Sequence, residues 1–275
     1  MRLMTEEESR KLKNIELDIL LEVQHVCEEL GIQFFLDSGT LLGAARHNGF
    51  IPWDDDIDIG MLRDDYNRFL SEAPKILKKS YWLQNPYNES DATVSFAKVR
   101  RVDTLLLENA NKGNAGNQGI WIDIFPFDVV DGSRESLLKQ KKKWRFWHKL
   151  FTLRAVGRGS RQMGLVPRIA RFSIHAVLSL APKEFYLRAL DSIAFEPSQR
   201  EEGVITSFHY FNAFLELPFN KAFPLTVLPF EGHEMPVFNN WEMYLEQIYG
   251  NWKQLPPVEL RAGHEIVEID LGPDE

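Results

Sequence analysis

Apolar and polar positions alternate along this chain in two periods, and the switch between them lays out the elements. Thr5-Glu6-Glu7-Glu8 reads as a helix start, with a capping hydroxyl followed by acids that suit the N-terminal dipole. Ile15, Leu17, Ile19, Leu20, Leu21, Val23, Val26 and Leu30 then carry a helix to about Leu30, closed by Gly31. An apolar run from Ile32 to Leu36 predicts a strand, Leu41–Arg46 a short helix, and the stretch through Ile57 and Ile59 a second strand. Arg63 opens a helix to about Lys79, and short strands follow at 82–84, 92–100 and 104–107. A Gly- and Asn-rich loop at Asn111–Gln118 precedes another strand, Gly119 to Asp128. Helices are predicted over 133–156, 167–180 and 182–195. Strand-like pieces at 204–208, 222–228 and 234–238 lead to a helix over 239–250 ended by Gly250. This mixture is α+β: a mixed sheet with flanking helices.

Composition narrows the class. The 275 residues suffice for a sizeable core, and 44% apolar with 26% charged residues is ordinary for a globular chain. The single cysteine, Cys27, excludes an internal disulfide framework and a zinc cluster, and falls in a helical pattern. The N-terminus is charged throughout, unlike a signal peptide, and no run of about 18 apolar residues exists to span a bilayer, so a cytoplasmic protein is expected. The net charge of −8 is unevenly spread. Of 32 Lys and Arg, 12 lie between Ser136 and Lys183, where there is no Asp or Glu; the other 20 face all 40 acids. That basic run is either a solvated helical face or a dock for an anionic membrane surface, since Trp144, Phe146, Trp147, Phe151 and Phe172 interleave with its cations. The acidic remainder and the lack of a recognised motif argue against nucleic acid.

The chemistry concentrates around Asp54-Asp55-Asp56-Ile57-Asp58. On a strand, alternate residues share a face, so Asp54, Asp56 and Asp58 would point one way and Ile57 and Ile59 into a core. Two like charges about 5 Å apart repel by roughly 3 kcal/mol at an effective dielectric near 20, which protons, basic side chains or a cation must offset. Hard oxygen ligands favour Mg²⁺ or Mn²⁺. Upstream, Ser38-Gly39-Thr40 leads from a strand into a helix, the geometry that offers backbone N–H groups to a phosphate. Downstream, Asp123 stands in a β-branched and aromatic strand, where it is either a strand-end carboxylate bonded to backbone or a third member of the metal site. A Gly-Thr turn, a helix and then a D-h-D-h strand form the signature of the nucleotidyltransferase fold.

The string GTLLGAARHNGFIPWDDDIDIGM, with IDIFPFD at 122–128, closely resembles the LicD family of phosphotransferases, relatives of the fukutin group. The C-terminal FEGHEMPVFNNWEMYLEQIYGNW resembles the same family more loosely. The resemblance implies Mg²⁺-dependent transfer of phosphocholine, or a related phospho-alcohol, from a CDP-linked donor such as CDP-choline. The acceptor would be a sugar hydroxyl of a teichoic acid or other cell-surface glycan precursor, often lipid-linked, at the inner face of the membrane. Asp56 and Asp58 would bind metal, and Asp123 would complete it and accept the acceptor's proton. Gly39 and Thr40 would hold phosphates, helped by Lys98 and Arg100 from one strand face, with Arg46, Arg63 and His264 as further contacts. Asp54 is placed one layer back, Asp55 beside Arg46, and Asp128 in a structural role; His233 is the weaker histidine. Residues 1–132 would form the catalytic core, 133–200 a basic helical subdomain, and 201–275 an α/β part completing the core or acceptor site. Nucleotidyl transfer, a CDP-ribitol or CDP-glycerol donor, and a catalytically silent binding protein are the alternatives.

Overall fold

A computed structural model describes residues 2–89, 94–108, 116–155, 165–194, 202–210, 215–261, 263 and 266–273. The N-terminal half begins with α1 (Glu6–Leu30), β1 (Phe35–Leu36), α2 (Ser38–His47), β2 (Asp58–Leu62) and α3 (Arg63–Glu72). Then come β3 (Tyr81–Gln84), β4 (Ala97–Arg101), β5 (Leu105–Glu108) and β6 (Trp121–Val130). Three helices follow, α4 (Arg134–Ala155), α5 (Leu165–Leu178) and α6 (Lys183–Ala194). The C-terminal part holds β7 (Val204–Thr206), β8 (Leu217–Pro218), α7 (Phe219–Ala222), β9 (Thr226–Phe230), β10 (His233–Val237), α8 (Trp241–Tyr249) and β11 (Ile266–Asp270).

The first helix forms where the capping signal put it. Thr5 Oγ1 accepts from Glu8 N–H, Glu8 reaches back to Thr5 N–H, and Gly31 closes the helix in the left-handed conformation. Three expected boundaries move. The strand expected from Asp54 begins only at Asp58, because the Pro52-Trp53 turn leaves 54–57 irregular; strict strand alternation across the acids therefore does not apply. The helix expected from Leu41 begins at Ser38, so Gly39 and Thr40 lie within its first turn. The helix opened by Arg63 also ends earlier, at Glu72, before a short turn at Ala73-Pro74-Lys75.

The main sheet runs β1-β2-β6-β4-β3, with β7 added along the later part of β6 and β8 beyond it. It is mixed: β2 and β6 are parallel, while β1 with β2, β6 with β4 and β4 with β3 are antiparallel. Helix α1 packs on β4 and β6, α3 on β2 and β6, and α2 against β2 and the β9–β10 hairpin. Gly60 is needed in β2 because a Cβ there would fall 2.3 Å from the Phe35 ring and 2.6 Å from that of Phe127. Those two rings meet edge to face, 4.9 Å between centroids, across its Cα.

A second apolar cluster joins Leu137, Trp144 and Phe151 of α4 to Tyr186, Leu187, Leu190 and Ile193 of α6, with Val130 and Phe208 beneath. Trp144 and Phe151, expected among interfacial aromatics, are core residues instead, because the α4 face that carries them packs on α6. The cluster is tied to the sheet by Arg63. Its Nε and Nη2 donate to Asp128 at 2.8 and 2.9 Å, and its Nη1 donates to Asp191 at 3.3 Å. Tyr87 also donates to Asp191. Arg63 and Asp128 thus form a clamp between β6 and α6. Among the described residues, no helix is long and apolar enough to cross a membrane.

Candidate active site

Strand register assembles the site. Asp58 of β2 lies opposite Asp123 of β6, which lies opposite Lys98 of β4, which lies opposite Gln84 of β3. Directly opposed residues share a sheet face, so an acid, an acid and a cation stand in one row. Lys98 Nζ donates to Asp123 Oδ1 at 2.5 Å, both side chains largely buried. The Lys98 ammonium is also 4.5 Å from the Trp121 ring centroid, and the Arg100 guanidinium 4.7 Å from it. Arg100 donates to Gln84 at 2.5 Å and to the Gly119 carbonyl at 2.6 Å. Lys98 and Arg100 therefore share a face, with Trp121 between them.

The α2 N-terminus is fastened to this row. Asp58 N–H donates to Thr40 Oγ1 at 2.8 Å, and Asp37 N–H donates to the Asp58 carbonyl at 3.0 Å. The Thr40 hydroxyl, buried, fixes the distance between the helix start and the metal-candidate strand. Gly39 has a local reason to be glycine: a Cβ there would lie 2.5 Å from Asp54 Oδ2. Asp54 thus leans over the first turn of α2.

Asp37, at the start of α2, adjoins the candidate site and was passed over by sequence reasoning. It is fully buried, and Oδ1 accepts from the hydroxyls of both Tyr210 and Tyr244, while Oδ2 has no hydrogen-bond partner among the described residues. Ser38 N–H donates to Tyr244 Oη at 3.0 Å, and Ser38 Oγ lies 3.3 Å from Tyr210 Oη. These bonds hold Ser38 at φ 44°, a left-handed conformation uncommon for serine.

The acids lie within one another's fields. The Asp58 carboxyl is held well above the usual range, first by burial and then by the charges of Asp56, Asp123 and Asp37, with Lys98 opposing. Burial, then Asp56 and Asp55, raises the Glu16 carboxyl of α1 as well. Burial raises the Tyr249 phenol, followed by the fields of Asp37, Asp58, Asp54 and Asp56. Among the described residues no three His, Cys, Asp or Glu side chains stand grouped so that, as they are, they could hold a metal ion. The donor set still fits a hard divalent cation: oxygen ligands only, more carboxylates than neighbouring cations, and an Asp58 whose charge is disfavoured until one arrives.

The other candidates are placed as follows. Arg46 donates to the Trp252 carbonyl at 3.2 Å and feels the field of Asp54. Arg63 is taken up by Asp128 and Asp191. His233 is exposed on β10, and His264 lies outside the described residues. A cavity of about 540 Å³ opens beside Asp54 and Asp55, bounded by α1, Phe50–Trp53, Glu231 and Gly263.

Residues 31–159 match the family model described as LicD/FKTN/FKRP, nucleotidyltransferase domain. The chain is 28% identical over 269 residues to the lipopolysaccharide cholinephosphotransferase LicD of Haemophilus influenzae, covering 94% of this chain and 96% of that one. A 40-residue stretch is 50% identical to the ribitol 5-phosphate transferase FKRP of Homo sapiens and of Mus musculus, covering 14% of this chain and 8% of each relative.

Proposed function

Because residues 31–159 form a LicD-family domain, we propose that the protein transfers phosphocholine or a related phospho-alcohol. The donor is a CDP-linked alcohol, and the acceptor a sugar hydroxyl of a teichoic acid or other cell-surface glycan precursor. The observation that carries this reading is the row Asp58–Asp123–Lys98 set beside the α2 N-terminus, with Asp56 adding to its charge.

Phosphoryl-type transfer rests on positioning and on neutralising phosphate charge. Asp56, Asp58 and Asp123 are the groups that would hold Mg²⁺ or Mn²⁺, which when bound supplies charge neutralisation on the donor's phosphates. The first turn of α2, at Gly39 and Thr40, offers its dipole and N–H groups to a phosphate. Thr40 keeps that turn in register with Asp58, and the Asp37–Tyr210–Tyr244 knot keeps Ser38 in its left-handed shape. Asp123 is the carboxylate suited to take the acceptor hydroxyl's proton, and Lys98, bonded to it, orients it and adds positive charge. Arg100 sits one pair along the same face as a further cation. The cavity beside Asp54 and Asp55 is of a size to admit an acceptor sugar.

The near-full-length likeness to a cholinephosphotransferase favours choline as cargo. The short, denser match to a ribitol 5-phosphate transferase supports CDP-ribitol as the second reading. Incubating the pure protein with Mg²⁺ and a panel of CDP-alcohols, and following CMP release, tests both. Release of CMP from CDP-choline supports the first. Release only from CDP-ribitol or CDP-glycerol replaces it with the second, and diphosphate released from a nucleoside triphosphate overturns both.

A further inference from the structure

Helix α5 turns apolar residues outward. Ile169, Phe172, Ala176 and Val177 recur at the i, i+3, i+7, i+8 spacing of a single helical stripe, continued by Leu180 just past the helix end. In a globular protein that stripe would face a core; here Phe172 is 64% exposed, Val177 66% and Leu180 87%. The helix packs on α4, and Leu178, on the opposite side, joins the second core cluster, so the outward stripe is extra to what the fold uses. An apolar patch of this kind marks a contact surface.

The charge beside it says which. The outer face of α4 carries Lys139, Lys142, Arg145 and Lys149 at i, i+3, i+6 and i+10, interleaved with exposed Leu138 and Phe146. Lys139 is shared with Glu135, 2.7 Å away at the helix start. Between Ser136 and Lys183 the chain has no acid at all. Exposed aliphatic and aromatic side chains beside an acid-free cationic helix suit an anionic phospholipid surface, where the apolar stripe enters the headgroup boundary and the lysines meet lipid phosphates. A protein partner would need complementary shape, and a second copy would bring like charge against like.

The geometry points to α4 and α5 as a peripheral docking surface for anionic bilayers, distinct from the carboxylate row and independent of what that row transfers. Co-sedimentation of the full chain with vesicles of phosphatidylcholine alone, or with about one-third phosphatidylglycerol, and with neither donor nor acceptor present, tests it. Binding is expected to the anionic vesicles, weakening as salt rises. Lys142→Glu and Lys149→Glu should each lower the partition coefficient by about fivefold or more. Phe172→Glu with Val177→Glu should abolish sedimentation while circular dichroism and melting temperature stay at wild-type values, since both side chains are exposed. Equal binding to both vesicles, no binding, or full binding by the Phe172→Glu, Val177→Glu variant overturns the proposal. So does self-association in sedimentation velocity that this variant abolishes, which would make a second copy the occupant. Vesicle binding without CMP release would sink the transferase reading and leave this one standing.

Discussion

Replacing Asp58 by Asn should make the metal-free protein more stable while removing its turnover. Asp58 is mostly buried, and Asp56, Asp123 and Asp37 all raise its proton affinity. Neighbouring strands lie about 4.8 Å apart, so a charged carboxylate on each, about 5–6 Å apart, costs about 3 kcal/mol at an effective dielectric near 20. Lys98 offsets most of the Asp123 share through its 2.5 Å bond, leaving a net penalty of about 1–3 kcal/mol. The sign follows from linkage. An acid whose folded pKa is raised binds its proton more tightly in the native state. The penalty is therefore absent below the unfolded value near pH 4 and grows as pH rises toward the folded value. The assay is thermal unfolding in EDTA from pH 4 to 8.5. The Asn variant should match wild type at the acid end and melt about 3–8 °C higher at the alkaline end. Adding Mg²⁺ should raise the wild-type midpoint and leave the variant where it was. CMP release from the CDP-alcohol that the wild type uses should fall by about a thousandfold or more. A variant that melts lower than wild type at pH 8 would refute the reasoning, since Asp58 would then be stabilising the fold.

Arg63→Ala leaves Asp128 buried without its partner and should cost about 3–5 kcal/mol in urea unfolding, with more than half recovered in the Arg63→Met, Asp128→Asn double variant; an Arg63→Ala loss below about 1 kcal/mol would remove the clamp between β6 and α6. Gly39→Ala puts a methyl 2.5 Å from Asp54 Oδ2, so turnover should drop about a hundredfold while melting stays within a few degrees; unchanged turnover would show that Asp54 yields without consequence. His209 and His148, both packed on Trp144, are pushed by burial to about 3 and about 4. With folded pKa values below the unfolded 6.5, the stability they lend is complete above pH 6.5 and lost as pH falls, by roughly 2 kcal/mol per imidazole near pH 5. Denaturant melts at pH 7 and 5 check this, and the His209→Phe variant should flatten the slope.

The acids of the site were legible because their spacing is local. The D-x-D leading into β2 and the lone Asp123 in an apolar strand announce themselves, and parallel pairing of β2 with β6 then sets Asp58 beside Asp123. Helix α1 was legible for the same reason, since its cap and its periodicity lie within the helix or next to it. What was hidden depends on distant partners. Asp37 looks like an ordinary residue before a turn; its two tyrosines come from positions 210 and 244, and no local pattern ties them to it. The early start of α2 was missed because Ser38 takes its left-handed conformation from those same tyrosines. Strand β11 pairs with β5 across more than 150 residues and carries no turn signal. Aromatic residues of α4 could not be sorted into core and surface by charge pattern alone. Only the packing of α6 buries Trp144 and leaves Phe146 outside.

Mn²⁺ binding followed by electron paramagnetic resonance tests the carboxylate site most directly. Wild type should take up Mn²⁺, more tightly when the CDP-alcohol is present, and Asp56→Asn, Asp58→Asn and Asp123→Asn should each lose it with their folds intact. Mn²⁺ bound by the Asp58→Asn variant with wild-type affinity would contradict the account.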